Sequence, residues 1–134
     1  MISLLLDTNL LIEEPNFAAI SDPDETVALY TSTLCYAELV EGEFSNDPSA
    51  AAAAVLQLAA AQAALGDGLP FGTPELTAYR AICAAVVGRG RGISRARRVD
   101  MMIAATALAN GLTLATRNAD DFAGLDAIVP IVAL

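Results

Sequence analysis

An α/β domain with a mainly parallel sheet is the fold that this sequence predicts. Three observations lead there. Short continuous apolar runs, Ile2–Leu6 and residues 112–116, read as strands buried on both faces, the habit of a parallel sheet. Helix-length segments with start and stop signals lie between them. The elements follow in the order strand, helix, strand, several helices, strand, turn and strand, as crossover-connected sheets require. At 134 residues the chain suffices for one domain with a sizeable core and is too short for two. Residues 1–134 are therefore read as a single unit, without repeat or linker.

The first strand, Ile2–Leu6, stops at Asp7, and Thr8-Asn9-Leu10-Leu11-Ile12 reads as a turn and a short helix. Val27–Thr31 is the second strand. Ser32 or Thr33 caps a helix over residues 34–44. Asp47-Pro48-Ser49 is a loop and helix start, with proline suited to the first turn. The alanine run continues to Leu65, where Gly66-Asp67-Gly68 ends it. Leu69-Pro70-Phe71 is a short extended piece. Thr73 is expected to cap the next helix, with Pro74 in its first position, and that helix runs to about Val87. Residues 88–98 form a Gly/Arg loop. Asp100 opens an apolar helix ending at Asn110, with Gly111 as its stop. Residues 112–116 are a strand, 118–122 a turn or one helical turn, and 128–132 a last short strand.

Composition excludes several chemistries. There is no His, hence no Ser-His-Asp triad and no imidazole metal site. All seven basic residues are Arg, so a P-loop lysine, a Schiff-base lysine and kinase chemistry are absent. Cys35 and Cys83 lie in apolar helical stretches, match no zinc or redox spacing, and read as small buried hydrophobes. The N-terminus has no basic n-region and no cleavage site, so it does not read as a signal peptide. The alanine run over residues 50–64 is composed of small rather than strongly hydrophobic residues, so no membrane span is expected and the expected location is cytoplasmic. The formal net charge of −9 argues against nucleic acid on its face. Its distribution argues otherwise, because Arg89, Arg91, Arg95, Arg97 and Arg98 fall within one short segment.

Open α/β sheets form their sites beyond the carboxyl ends of the strands. Asp7 ends the first strand. Asp100 opens the helix leading to the 112–116 strand, and Asn118 and Asp121 follow that strand's end. Glu38 lies on the helix after the second strand. Convergence at one rim would be costly unless protons or cations neutralise the charge. Oxygen-only ligands favour Mg²⁺ or Mn²⁺, which can orient and acidify a water for attack on a phosphodiester. Each residue also has a purely local explanation: Asp7 as a turn former, Asp100 as a helix cap, Glu38 as a solvated helix acid, Asp121 as an Asx turn.

Four segments resemble the PIN-domain family, and within it the VapC-type toxins of bacterial toxin–antitoxin pairs. They are Leu4-Leu5-Leu6-Asp7-Thr8-Asn9, then Thr33-Leu34-Cys35-Tyr36-Ala37-Glu38-Leu39 with Gly42, then Asp100-Met101-Met102-Ile103-Ala104-Ala105-Thr106-Ala107, and last Leu114-Ala115-Thr116-Arg117-Asn118-Ala119-Asp120-Asp121-Phe122. The resemblance implies a three-layer α/β/α sandwich around a short, mainly parallel central sheet. It implies a Mg²⁺- or Mn²⁺-dependent endoribonuclease acting as a toxin, with an RNA substrate, a VapB-type antitoxin as partner and a homodimer as assembly. Asp7, Glu38 and Asp100 match the family's acidic positions, with Asp7 and Asp100 as direct metal ligands. Glu38 would orient or deprotonate the water, or complete the shell. Asn118 stands where the family has Asp or Asn, and Asn118 and Asp121 would support through water or substrate. Thr8 and Thr116 are candidate supporting hydroxyls.

Two further segments bear on partners. The loop over residues 88–98 suits phosphate, since glycine permits close approach and arginine forks match phosphate geometry, and Arg97 and Arg98 are its candidate substrate-binding residues. Residues 49–66 carry no charge, and a helix with so little polar face reads as a partner surface, for a second copy, an antitoxin segment, or both. The competing class is a non-catalytic PIN-like module that dimerises or binds protein through that helix.

Overall fold

The computed structural model describes residues 1–13 and 24–134. Four parallel strands form one sheet in the order β2-β1-β3-β4. They are β1 (Ile2–Leu6), β2 (Val27–Thr31), β3 (Thr113–Thr116) and β4 (Ile131–Ala133). Among the described residues five α-helices accompany them: α1 (Thr8–Ile12), α2 (Thr33–Gly42), α3 (Pro48–Leu65), α4 (Thr73–Gly88) and α5 (Arg98–Ala109). A 3₁₀ turn, Ala119–Phe122, follows β3. Leu6 pairs with Thr31 of β2 on one side and with Ala115 of β3 on the other, so β1 is central. The chain leaves β1 towards β2 and leaves β3 towards β4, in opposite directions. The seam between β1 and β3 is therefore the topological switch point, where such sheets open a crevice at the carboxyl edge.

The continuous apolar run of β1 is needed because both its faces are covered. Leu5 points to one side, into a core with Ile82 and Val86 of α4, Met101 and Ile103 of α5, and Leu114 and Val129. Leu4 and Leu6 point to the other, with Leu10, Ala115 and part-buried Leu65. The result is the expected three-layer α/β/α arrangement. Ala104, Ala105 and Ala107 are fully buried and let α5 lie close to the sheet. Each leucine so buried contributes about 1.5–3 kcal/mol over leaving it exposed.

The helix α3 covers little. Only Ala54 and Ala61 are buried, and with Leu58 and Leu65 they form one narrow stripe along the helix. Tyr36 and Leu39 of α2 meet that stripe. By length and composition α3 meets the measure of a membrane span, with mean hydropathy 1.3. The expectation that no segment does so is corrected on that measure: alanine is apolar enough when no charge interrupts the run. In the fold α3 is a packed surface helix, with Leu56 71% exposed on its outer side.

Besides shifts of one or two residues, as at α2, which ends at Gly42 rather than residue 44, three boundaries differ from expectation for reasons seen in their hydrogen bonds. Gly72, not Thr73, is the N-cap of α4, because Glu75 folds back to accept from the Gly72 N–H at 2.9 Å; Pro74 is thus one position further in. The helix α5 begins at Arg98, with Arg97 at the N-cap, so Asp100 lies in the first turn and does not cap. The last strand starts at Ile131, not 128. The N–H groups of Ile128 and Val129 turn back to the Leu125 carbonyl, and Pro130 has none to give. Cys35 is buried as expected and Cys83 is half-buried, both as free thiols.

At Gly68, which follows α3, φ is +83°, and an added Cβ would lie 3.0 Å from the Tyr36 ring and 3.1 Å from the Thr33 nitrogen. Gly111 has φ +65° and open space around it. Gly68→Ala is therefore expected to cost about 2–3 kcal/mol in denaturant unfolding, against about 1 kcal/mol for Gly111→Ala, which carries backbone strain alone. Equal costs would show that the contact with Tyr36 and Thr33 yields freely.

Candidate metal centre at the carboxyl edge

Asp7 stands where β1 ends and α1 begins, and is 6% exposed. Its N–H donates to the Ala115 carbonyl at 2.9 Å, continuing the β1–β3 pairing by one residue. Both carboxylate oxygens have a donor. Oδ1 accepts from the Thr8 N–H at 2.8 Å, which makes Asp7 the cap of α1. Oδ2 accepts from the Thr116 hydroxyl at 2.9 Å. That hydroxyl also accepts from the Asn118 N–H at 3.0 Å. The Thr8 hydroxyl donates to Glu38 Oε1 at 2.7 Å. One connected path thus runs Glu38–Thr8–Asp7–Thr116–Asn118. Both candidate supporting hydroxyls, Thr8 and Thr116, thus donate to acids.

Asp100 approaches from α5, half-buried. Its carboxyl is pushed up to about 6 by burial first, and then by Asp7, Glu38 and Asp121; the Arg97 guanidinium opposes this. Glu38 is also raised, by burial and by Asp7 and Glu41, against the lowering effect of the Thr8 hydrogen bond. So Asp7, Glu38, Asp100 and Asp121 act on one electrostatic field, as the sequence positions suggested. Among the described residues, no three acid or thiol side chains are close enough together to form a ready cage for an ion. The donor set still fits a hard cation. It is all oxygen and mutually repulsive, and Mg²⁺ is commonly held by one or two carboxylates with waters and a substrate phosphate.

The remaining candidates divide. Asn118 and Asp121 are exposed at the rim, and Asn118 reaches the path through its backbone. Arg97 donates from Nη2 to the Asp121 carbonyl at 2.5 Å. It thereby joins the start of α5 to the 3₁₀ turn and faces the acids. Arg98 is exposed and its charge acts on Tyr79 of α4. Sequence reasoning missed Cys35 and Thr31, which both donate to the Leu6 carbonyl at the end of β1, at 3.6 and 3.0 Å. Burial pushes the Cys35 thiol up to about 11, which suits an uncharged packing group. Their apolar or strand-like neighbours left no signal of this use.

A pH dependence follows. The Asp100 carboxyl titrates at about 6 in the fold and near its ordinary 3.8 when unfolded. Stability from this group is complete below the unfolded value and is lost as pH rises through the folded one. In EDTA the melting temperature is expected to fall from about pH 4 to about pH 7, and less so in Asp100→Asn. Added Mg²⁺ at neutral pH should raise the wild-type melting temperature. Identical pH profiles for wild type and variant would show that Asp100 is not in this field.

The geometry has parallels. The PIN domain family model matches residues 4–128. No curated protein matches the sequence. VapBC-5 of Mycobacterium tuberculosis, a member of the VapBC family of toxin–antitoxin systems, is similar with TM-score 0.82 and 26% identity, covering 100% of each chain. FitAcB of Neisseria gonorrhoeae is similar with TM-score 0.70 and 26% identity, over 96% of this chain and 95% of that one. VapBC2 of Rickettsia felis, bound to a DNA fragment from its promoter, shares the fold at TM-score 0.74 and 19% identity, over 99% of each chain. The four-motif resemblance to a VapC-type PIN domain is thereby borne out. With nearly the whole sequence matched and a parallel sheet that places Asp7 at its switch point, the chain belongs to the PIN domain family.

Proposed function

We propose that this protein is a Mg²⁺- or Mn²⁺-dependent endoribonuclease, the toxin of a VapBC-type toxin–antitoxin pair that inhibits growth or translation in the cytoplasm. The observation that carries the reading is the fixed carboxylate of Asp7, with both oxygens held by uncharged donors and with Asp100 and Glu38 in the same field. A divalent cation bound there supplies charge screening for the phosphodiester and acidifies a water. Asp7 and Asp100 are the residues to hold it. Glu38 is fixed by Thr8 and is a stronger base than a solvated carboxylate, so it orients the attacking water and takes its proton. Asn118 and Asp121 support substrate or water at the rim. Arg97 and Arg98 are substrate-side cations, Arg97 also fixing the Asp121 backbone.

The likeness to VapBC-5 over the full chain supports the toxin role and a VapB-type antitoxin as partner. The uncharged outer side of α3 suits that antitoxin or a second copy of the chain. A groove beside Glu38, lined by Ile12, Leu39, Ala50 and Ala54 among others, leads from the acids to α3 and gives a partner segment a path between them.

The reading is tested on total RNA with purified wild type and Asp7→Asn, each with Mg²⁺ and with EDTA. Wild type is expected to cut only with Mg²⁺, and Asp7→Asn to lose roughly 100-fold or more of the rate while still folding. No cleavage by wild type, together with a melting temperature that Mg²⁺ leaves unmoved, would favour the non-catalytic binding module instead.

A further inference from the structure

The five arginines of the 88–98 loop are not equivalent. Arg97 is engaged with the Asp121 carbonyl, and Arg98 lies towards Tyr79. Arg89 and Arg91 instead line an open groove of about 470 Å³ together with Ala123 and Gly124. Both belong to the ordered end of α4: the N–H groups of Arg89 and Arg91 each donate to the Val86 carbonyl, at 3.2 Å. The Arg89 side chain lies along the bare α-carbon of Gly124. A Cβ at Gly124 would stand 3.0 Å from its Cδ, 3.5 Å from Nε and 3.6 Å from Nη1, and φ there is +89°. The missing side chain at Gly124 thus leaves room for the Arg89 side chain to lie close against the backbone.

Neither arginine forms an ion pair with a carboxylate among the described residues, although the chain has sixteen acids. Two guanidinium groups lining one groove, neither in an ion pair, make it a local positive site in a negative protein. Asp120 and Asp126 line the neighbouring groove, which shares Ala123 and Gly124, and repel an anion from that side. The position is continuous with the acids. Gly124 is three residues beyond Asp121, a reach of at most about 11 Å.

We infer that Arg89 and Arg91, set against Gly124, form a backbone-phosphate subsite that holds the RNA strand a few nucleotides from the cleaved bond. The inference rests on the ribonuclease reading and deepens it. A run of regularly spaced phosphates suits this groove because guanidinium forks bind phosphate oxygens in pairs and need no base identity. Arg89 and Arg91 therefore supply affinity and register, and sequence choice lies elsewhere.

The test is fluorescence anisotropy of a labelled, mixed-sequence single-stranded RNA oligonucleotide in EDTA, over a range of salt. Arg89→Ala/Arg91→Ala should bind about tenfold more weakly at low salt, and its plot of log affinity against log salt should be shallower by about 1.4, the value for two lost phosphate contacts on a single strand. Arg89→Lys/Arg91→Lys should keep most of the slope. The melting temperature should not move, since both side chains are exposed. An unchanged slope in the alanine variant, while wild type still cuts total RNA with Mg²⁺, overturns the subsite alone. Failure of wild type to cut overturns the ribonuclease reading beneath it. Equal displacement of the oligonucleotide by poly-glutamate, lost with the same two substitutions, would mark a protein-docking surface and also overturn the subsite.

Discussion

The hydrogen bond from Thr116 to Asp7 joins residues 109 positions apart and fixes the carboxyl edge of the β1–β3 seam. A buried carboxylate costs several kcal/mol unless its oxygens are satisfied. Asp7 meets that constraint with two donors, one from Thr116 and one from the first residue of α1. Its own N–H extends the pairing with β3. The same residue therefore ends a strand, opens a helix and ties the two central strands together. Replacing it by an apolar residue would leave the Thr8 N–H and the Thr116 hydroxyl without their acceptor, so local structure and chemistry share one side chain.

The identity of the donors matters. A lysine or arginine against Asp7 would satisfy it equally well, but it would also cancel the charge and fill the space a divalent cation needs. Threonine hydroxyls hold Asp7 and Glu38 in place and leave their negative charge intact. That charge adds to burial, the larger cause, in raising the carboxyl of Asp100. Among the described residues Arg97 is the cation that offsets this field at Asp100, and its hydrogen bond is to a backbone carbonyl rather than to an acid. On the proposed reading, a divalent cation held beside Asp7 and Asp100 would relieve the repulsion among these acids.

The sheet was legible because fully buried strands need continuous apolar runs, and Ile2–Leu6 allows no other face assignment. The rim acids were legible from where they end strands or begin helices. Asp100 shows the limit of that method. Its spacing matched a cap equally well, and only the placement of Arg97 at the N-cap frees the Asp100 side chain for the site. The start of β4 was misjudged because Ile128 and Val129 are as apolar as a strand, and Val129 does enter the core, but through a turn closed on Leu125. The separate environments of Arg89, Arg91 and Arg97 were not legible at all. They depend on contacts with the 121–124 segment, which packs against the loop from a distant part of the chain.

Net charge misleads for this molecule, because charge is sorted by region. Residues 49–66 hold none, the 88–98 loop holds five positive charges, and acids crowd the end of the sheet. Between two copies of a chain with net charge −9, or between it and an acidic segment, approach is opposed almost everywhere. The outer side of α3 is exempt, since contact there brings no like charges together. For an RNA strand, the proposed substrate, the order would reverse: the acids would repel it, and the arginine loop, with five of the seven positive charges, would attract it. On the proposed subsite, such a strand would meet Arg89 and Arg91 before Arg97 at the Asp121 turn and the carboxylates beyond it. On the proposed ribonuclease reading, contact at that end would require neutralisation, so substrate and cation would bind in support of one another, each lessening the repulsion the other meets.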